Sequence, residues 1–222
     1  MKIKKNIFNL PEEYLNILRK LNSPIKIQNF LDQMPINYEK KGETIMSPLR
    51  ALRANKCHCL EGAMIAALAL WINGEKPLLL DLKAKPPDVD HVVALYRRNR
   101  LWGAISKTNH ATIRFRDPVY KTLRELALSY FHEWFVDKDY PPSIKAGEKT
   151  MRSFSTRALD LSKFGTKWVT SDEDLQDISD ALDELPHESI VPKANIKYLR
   201  RADSMERKAG RILEWSIRDK RT

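Results

Sequence analysis

At 222 residues, 42% hydrophobic and 31% charged, the chain is long enough for one good core and has the composition of an ordinary globular protein. No apolar run approaches the roughly 18 residues of a spanning helix, and the basic start MKIKKNIFNLPEEY lacks the continuous apolar stretch of a signal peptide, so a cytoplasmic protein without membrane contact is expected. Two cysteines separated by one residue make no useful structural disulfide, which fits a reducing compartment, while the net charge of +10 raises the question of an acidic partner.

Residues 1–45 read as a helical leader, 46–135 as the core, and 136–222 as a helical, basic extension packed on it. Pro11 followed by Glu12 and Glu13 is a good helix start, and Tyr14, Leu15, Ile17, Leu18 and Leu21 form an apolar stripe. Asn22, Ser23 and Pro24 break it. A second short helix runs from Ile25 to Met34, and a helical piece follows Pro48. The next stretch organises the rest. From Cys59 to Ile72 the residues are apolar on nearly every face, with Glu61 the one charge, which predicts a helix buried in a core. Gly74 closes it, and LLLDL at 78–82 reads as an inner strand. A thiol in the first turn of that helix sits at the positive end of the macrodipole, where thiolate is favoured over thiol.

Two prolines in KAKPPDVD mark a surface loop, after which HVVALY and LWGAIS are strand-like runs joined by RRNR as a β-hairpin. With the turn centred on Arg98 and Asn99, facing residue numbers sum to about 197, which sets His91 opposite Ser106. KTNH reads as a second turn and ATIRF as a third strand, for an antiparallel sheet of about four strands. Leu123, Leu126, Ala127, Tyr130, Phe131 and Trp134 repeat at helical spacing and read as core. Residues 136–170 read as largely irregular, with SFSTRALDLSKFGTKWV supplying one strand or short helix. TSDEDLQDISDALDEL reads as a helix capped by Thr170 or Ser171, buried through Leu175, Ile178, Ala181, Leu182 and Leu185, and stopped by Pro186. Residues 193–222 hold ten Lys and Arg against four acids; Tyr198, Ala202, Met205, Ala209, Ile212 and Ile217 follow spacings near three and four, so an amphipathic helix with a solvated basic face is predicted there.

The residues that could carry chemistry are few. A thiol attacks a carbonyl as thiolate, so it needs an imidazole to take its proton, and the imidazole needs a third group to fix its tautomer. Cys59 opens a helix, His91 opens a strand, and Ser106 and Asn109 follow Trp102 on or after the next strand. Cys57 reads as a loop or core thiol, and His110 and His132 as structural or surface groups. Cys57, His58 and Cys59 are potential zinc ligands with His91 or His110, but structural zinc takes cysteines farther apart and a second ligand pair, so no metal is expected. A glycine-rich phosphate loop, GxSxG and HExxH are all missing from the sequence, and no cofactor is expected.

At these residues the chain resembles the transglutaminase-like superfamily, a branch of the papain-like cysteine acyl-transferase fold. That pattern has a Cys, an acid two residues on and an Ala four residues on, inside an apolar helix that ends at Gly before a strand; here these are Cys59, Glu61, Ala63, Gly74 and LLLDL. It continues with a His opening an apolar strand, a turn, and a Trp whose strand ends in Asp; here stand His91, VVALY, RRNR and Trp102, with Ser106 at the place of the Asp. The resemblance covers residues 45–120. Asn109 offers a neutral amide in the manner of papain-like proteases, and Asp117 has the right charge but falls, by hairpin counting, near the far end of the strands from His91.

The resemblance implies an α+β fold of transglutaminase-like or papain-like type, in which a buried Cys-bearing helix packs on an antiparallel β-sheet with flanking helices. It implies cysteine-dependent acyl transfer or amide or peptide hydrolysis: Cys59 as nucleophile, His91 as base and then acid, and Ser106 or Asn109 orienting the imidazole. The substrate would be a protein, a peptide or a small amide. From a different class, the chain could be a catalytically inactive transglutaminase-like binding module whose basic residues 193–222 meet an acidic partner or nucleic acid.

Overall fold

The computed structural model describes residues 6–39 and 42–213. Helix α1, Glu12–Lys20, starts behind Pro11 and buries Leu15 and Leu18. In α2, Pro24–Gln33, and α3, Pro48–Ala54, a proline occupies the first turn and the preceding serine, Ser23 or Ser47, accepts a backbone N–H with its hydroxyl. All three pack on α4, Cys59–Ile72, in which every residue from Leu60 to Leu70 is buried. At about 1.5–3 kcal/mol for each large side chain, burying Leu60, Met64, Ile65, Leu68 and Leu70 contributes on the order of 10 kcal/mol.

Strands β1, Leu78–Ala84, β2, His91–Arg98, β3, Leu101–Ile105, and β4, Arg116–Tyr120, form an antiparallel meander. Helix α5, Leu123–Phe131, follows, and then β5, Met151–Ser155, and β6, Leu159–Asp160, share the other edge of β1. Beyond α6, Gln176–Asp183, the short β7, His187–Ser189, pairs with β5. The fold is therefore α+β with an antiparallel sheet of seven strands in the order β4-β3-β2-β1-β5-β7, with β6 on β1. Residues 151–189 thus add three strands to the same sheet as the hairpin. No helix among the described residues is long and apolar enough to cross a membrane.

The run HVVALY does not alternate because β2 is covered on both faces. Val92, Ala94 and Tyr96 join the core around α4, while Val93 and Leu95 join a second core under α5 with Leu126, Ala127, Tyr130 and Phe131.

Four sequence expectations need correction. The sheet has seven strands rather than about four. The hairpin turn is Asn99–Arg100, both at positive φ (49° and 69°), with Arg98 paired to Leu101, so the register lies two residues from the predicted one. ATIRF is not a strand: Ile113 has φ 53° and its N–H donates to Glu133 Oε2, so pairing resumes only at Arg116. The helix expected from Thr170 begins at Gln176 because the preceding residues tie down the loop before α3. The Ser47 hydroxyl donates to Ser171 O (2.7 Å), and Leu175 N–H donates to Ile45 O (2.9 Å).

The basic C-terminal helix also differs. A 3₁₀ helix, Lys193–Tyr198, and a short α7, Ser204–Gly210, are separated where Ala202 N–H donates to Gly147 O at 2.7 Å. Ala202 is buried there, whereas Tyr198 and Met205, expected to dock, are 74% and 81% exposed. Ile217 lies outside the described residues.

Candidate active site

The N-terminus of α4 is fixed by its own sequence, CHCLEG. His58 is the N-cap: its Nδ1 accepts from Leu60 N–H (3.2 Å), and Glu61 Oε2 accepts from His58 N–H (2.9 Å), a reciprocal capping box. Glu61 is fully buried yet well satisfied. Its carboxylate also accepts from Met46 N–H (3.0 Å), the Thr44 hydroxyl (3.1 Å) and the Asn37 amide (3.3 Å), which pins the loop before α3 to the helix. The other side of that loop is tied to the chain entering α4, since Asn37 N–H donates to Cys57 O and Cys57 N–H to Pro35 O.

Cys59, half-buried at the first position of α4, meets His91 where β2 begins. His91 Nε2 lies 2.8 Å from Ser106 Oγ, and that hydroxyl lies 2.8 Å from the backbone oxygen of Ile113. A carbonyl only accepts, so the single Ser106 proton goes to Ile113 O, and Ser106 Oγ must accept from His91 Nε2–H. The neutral imidazole then has its lone pair on Nδ1, the nitrogen left for the Cys59 sulfur. Burial pushes the Cys59 thiol up, but hydrogen bonding with His58 and His91, and the charge these rings carry when protonated, outweigh it and bring the pKa down to about 5. Burial lowers the pKa of His58, but contact with Cys59, the Glu61 carboxylate and the Thr44 carbonyl more than offset this and raise it to about 9.

Ser106 is the partner of His91 despite the register shift. Continuing the observed pairing past Ile105 places Ser106 beside Val93, so His91 is its diagonal neighbour on the same face. Its backbone is held from α2: Gln28 Oε1 accepts from Ser106 N–H (2.9 Å) while Gln28 Nε2 donates to Ser106 O (2.8 Å). The indole of Trp134 packs edge-on to His91 with ring centres 6.0 Å apart, and its Nε1–H donates to Asp88 (3.0 Å). Lys107 runs buried across α4 to donate to Leu31 O and Met34 O, capping the last turn of α2. Gly62 makes room for it, since a Cβ there would stand 2.5 Å from Lys107 Cβ.

The structure therefore brings Cys59, His91 and Ser106 together. Asn109 lines the same cleft but its amide approaches Tyr38 Oη at 3.4 Å. Asp117 is exposed on β4, whose first residue, Arg116, accepts from Tyr96 Oη; this is the opposite end of β2 from His91. Two participants are not predicted from the sequence. His58 stands beside Cys59, and its adjacency was the available signal; Gln28 sits at an ordinary helical position that carried none.

The cleft has a volume of about 650 Å³. Cys59 and His91 line it together with residues from 87–90, 107–113, 133–140 and 210–213. Among the described residues no group of three or more His, Cys, Asp and Glu side chains converges to hold a metal ion. No protein-family model matches the chain, and no curated protein matches it.

Proposed function

We propose that the chain is a transglutaminase-like protein of the papain-like kind that uses Cys59 for acyl transfer or amide hydrolysis. The observation that carries this reading is the directed chain Ser106 Oγ–H to Ile113 O and His91 Nε2–H to Ser106 Oγ, which leaves His91 Nδ1 as a base at a half-buried thiol. In this reading the Cys59 thiolate attacks the acyl carbonyl carbon. The oxyanion is met by the Cys59 backbone N–H, one of the helix N-terminal donors without an intrahelical partner. His91 Nδ1–H passes a proton to the leaving nitrogen as the tetrahedral species collapses to a thioester. Nδ1 then takes a proton from the acceptor, water or an amine, whose attack expels the Cys59 thiolate, releases the acyl group and restores the starting thiolate–imidazolium pair.

Ser106 at the position of an acid makes this a neutral relay. Its hydroxyl fixes the His91 tautomer but brings no charge to stabilise imidazolium. The cleft admits a side chain or short segment of polypeptide as well as a small amide. The test is direct acylation: the protein is incubated with an activated aryl ester, and the peptide bearing Cys59 is weighed before and after hydroxylamine. A Cys59 adduct that hydroxylamine removes, absent from Cys59→Ala and formed more slowly in His91→Ala by about 10²–10⁴-fold, is expected. An unmodified Cys59 peptide in the folded parent protein rejects the reading.

A further inference from the structure

One imidazole suffices to take a thiol proton, yet Cys59 has two as hydrogen-bond partners. Among the described residues, the groups facing His58 Nε2 are acceptors: Thr44 O at 2.7 Å, Glu61 Oε1 at 3.5 Å and Glu39 Oε1 at 3.7 Å. A nitrogen so surrounded keeps its proton, which it donates to Thr44 O. Nδ1 is therefore the nitrogen that changes state. Without a proton it accepts from Leu60 N–H at 3.2 Å and caps the helix; with one it turns from acceptor to donor. Ser, Thr, Asn and Asp cap helices as well or better, but none of them becomes a cation.

We infer that His58 is a positioning residue with two states: neutral, it caps α4; on taking the Cys59 proton at Nδ1, it becomes a second counter-ion of the thiolate. This rests on the reading of Cys59 as the nucleophile. One proton moves from Sγ to Nδ1, the Nε2–H stays on Thr44 O, Leu60 N–H gives up its cap, and the charge of the site as a whole is unchanged. When that proton sits on His58, His91 is neutral and its Nδ1 is ready to accept a proton from water or an amine. A cation at a helix N-terminus is opposed by the macrodipole. Two carboxylates offset this. Glu61 comes from α4 itself and Glu39 from the loop pinned to it, and the pKa of His58 is raised chiefly by its contact with Cys59, with the Glu61 carboxylate adding to it. Among the described residues, other titratable or charged groups at this end of α4 are Cys57 and Cys59 on either side, His91 beyond the sulfur, and Lys107, whose ammonium is turned to Leu31 O and Met34 O.

The test compares pH profiles of iodoacetamide labelling at Cys59 in the parent, His58→Asn and His58→Ala. Asparagine keeps a cap acceptor and cannot carry the charge. The expected result is a parent profile well below that of an ordinary thiol, and a His58→Asn profile displaced upward, with labelling at mildly acid pH slowed by about tenfold or more. A His58→Asn profile that superimposes on the parent's makes His58 a cap only and overturns the inference. A parent profile like that of an ordinary thiol instead overturns the nucleophile reading, before any variant is compared. Should the variants fail to fold, nuclear magnetic resonance titration of the His58 ring in the parent and in Cys59→Ser decides. A lower His58 midpoint once the sulfur is gone supports the pair, and an unchanged midpoint overturns it.

Discussion

Ser106 spends its one proton on Ile113 O, and that sets what it does for His91: it accepts Nε2–H and nothing more. Replacing it with alanine removes the acceptor that selects the tautomer. Ser106→Ala is expected to slow Cys59 acylation by about 10–10²-fold, at or below the lower end of what a general base contributes, because the base remains but is no longer aimed. An acylation rate equal to the parent's would remove Ser106 from the relay. The pH dependence follows from the same contacts. With the thiol at about 5, labelling of Cys59 rises as the pH climbs through that value; with His58 at about 9, the pair of charges is lost as the pH rises through it. Cys59 and His91 were legible as candidates in the sequence from residue type, order and an apolar frame, whereas Ser106 stood there only as an alternative to Asn109. Gln28 was not legible, since its role depends on α2 crossing the end of β3, which no local pattern encodes.

At the scale of elements, α4 is both the core and the carrier of the site. Glu61 joins those two roles, and the sequence showed it as the one charge in an apolar helix and as the acid two residues after Cys59. Its four acceptor bonds come from residues 37 to 58, so the loop before α3 is held by a buried carboxylate. Glu61→Gln would turn an amide NH₂ toward the donors at His58 N–H and the Asn37 amide. A loss of about 1–3 kcal/mol in denaturant unfolding is expected, with the Cys59 labelling profile disturbed as the cap loosens. Gly62→Ala would press a methyl into the buried stem of Lys107, and a loss of about 1–3 kcal/mol by the same measurement is expected from overpacking. The hairpin shows where element-level reading stops. Its strands and faces were legible from HVVALY and LWGAIS, but the turn places Arg100 at positive φ, a choice that favours glycine, and the register moved by two. A shift of two keeps every side chain on its face, so Ser106 still reached His91.

At the scale of the whole molecule, a sheet with helices on both faces leaves one end open, and the C-terminal segment walls it. His110 and Leu213 form an antiparallel bridge, Ala111 N–H donates to Ile212 O at 3.1 Å, and Arg211 Nε pairs with Asp137 Oδ2 at 3.4 Å. The Arg211–Asp137 pair is largely solvent-exposed, so it holds the wall at no more than about 1 kcal/mol. Arg211→Glu is expected to open the cleft without unfolding the chain: a bulky maleimide should reach Cys59 several-fold faster, with small iodoacetamide unaffected. Equal maleimide rates in parent and variant would show that the tail does not guard the site. This wall was not legible because a continuous amphipathic helix satisfies the apolar spacing of residues 198–212, while the tie of Ala202 to Gly147 breaks it into shorter pieces.

The most direct test of the account is the pH dependence of iodoacetamide labelling at Cys59 and Cys57 separately, read by peptide mass spectrometry in the parent and in His91→Ala. Fast labelling of Cys59 with a midpoint near pH 5, slow labelling of buried Cys57, and an upward displacement of the Cys59 midpoint in His91→Ala are predicted. A Cys59 that stays inert until the unperturbed thiol range of about 8.5, or a midpoint that ignores His91→Ala, contradicts it.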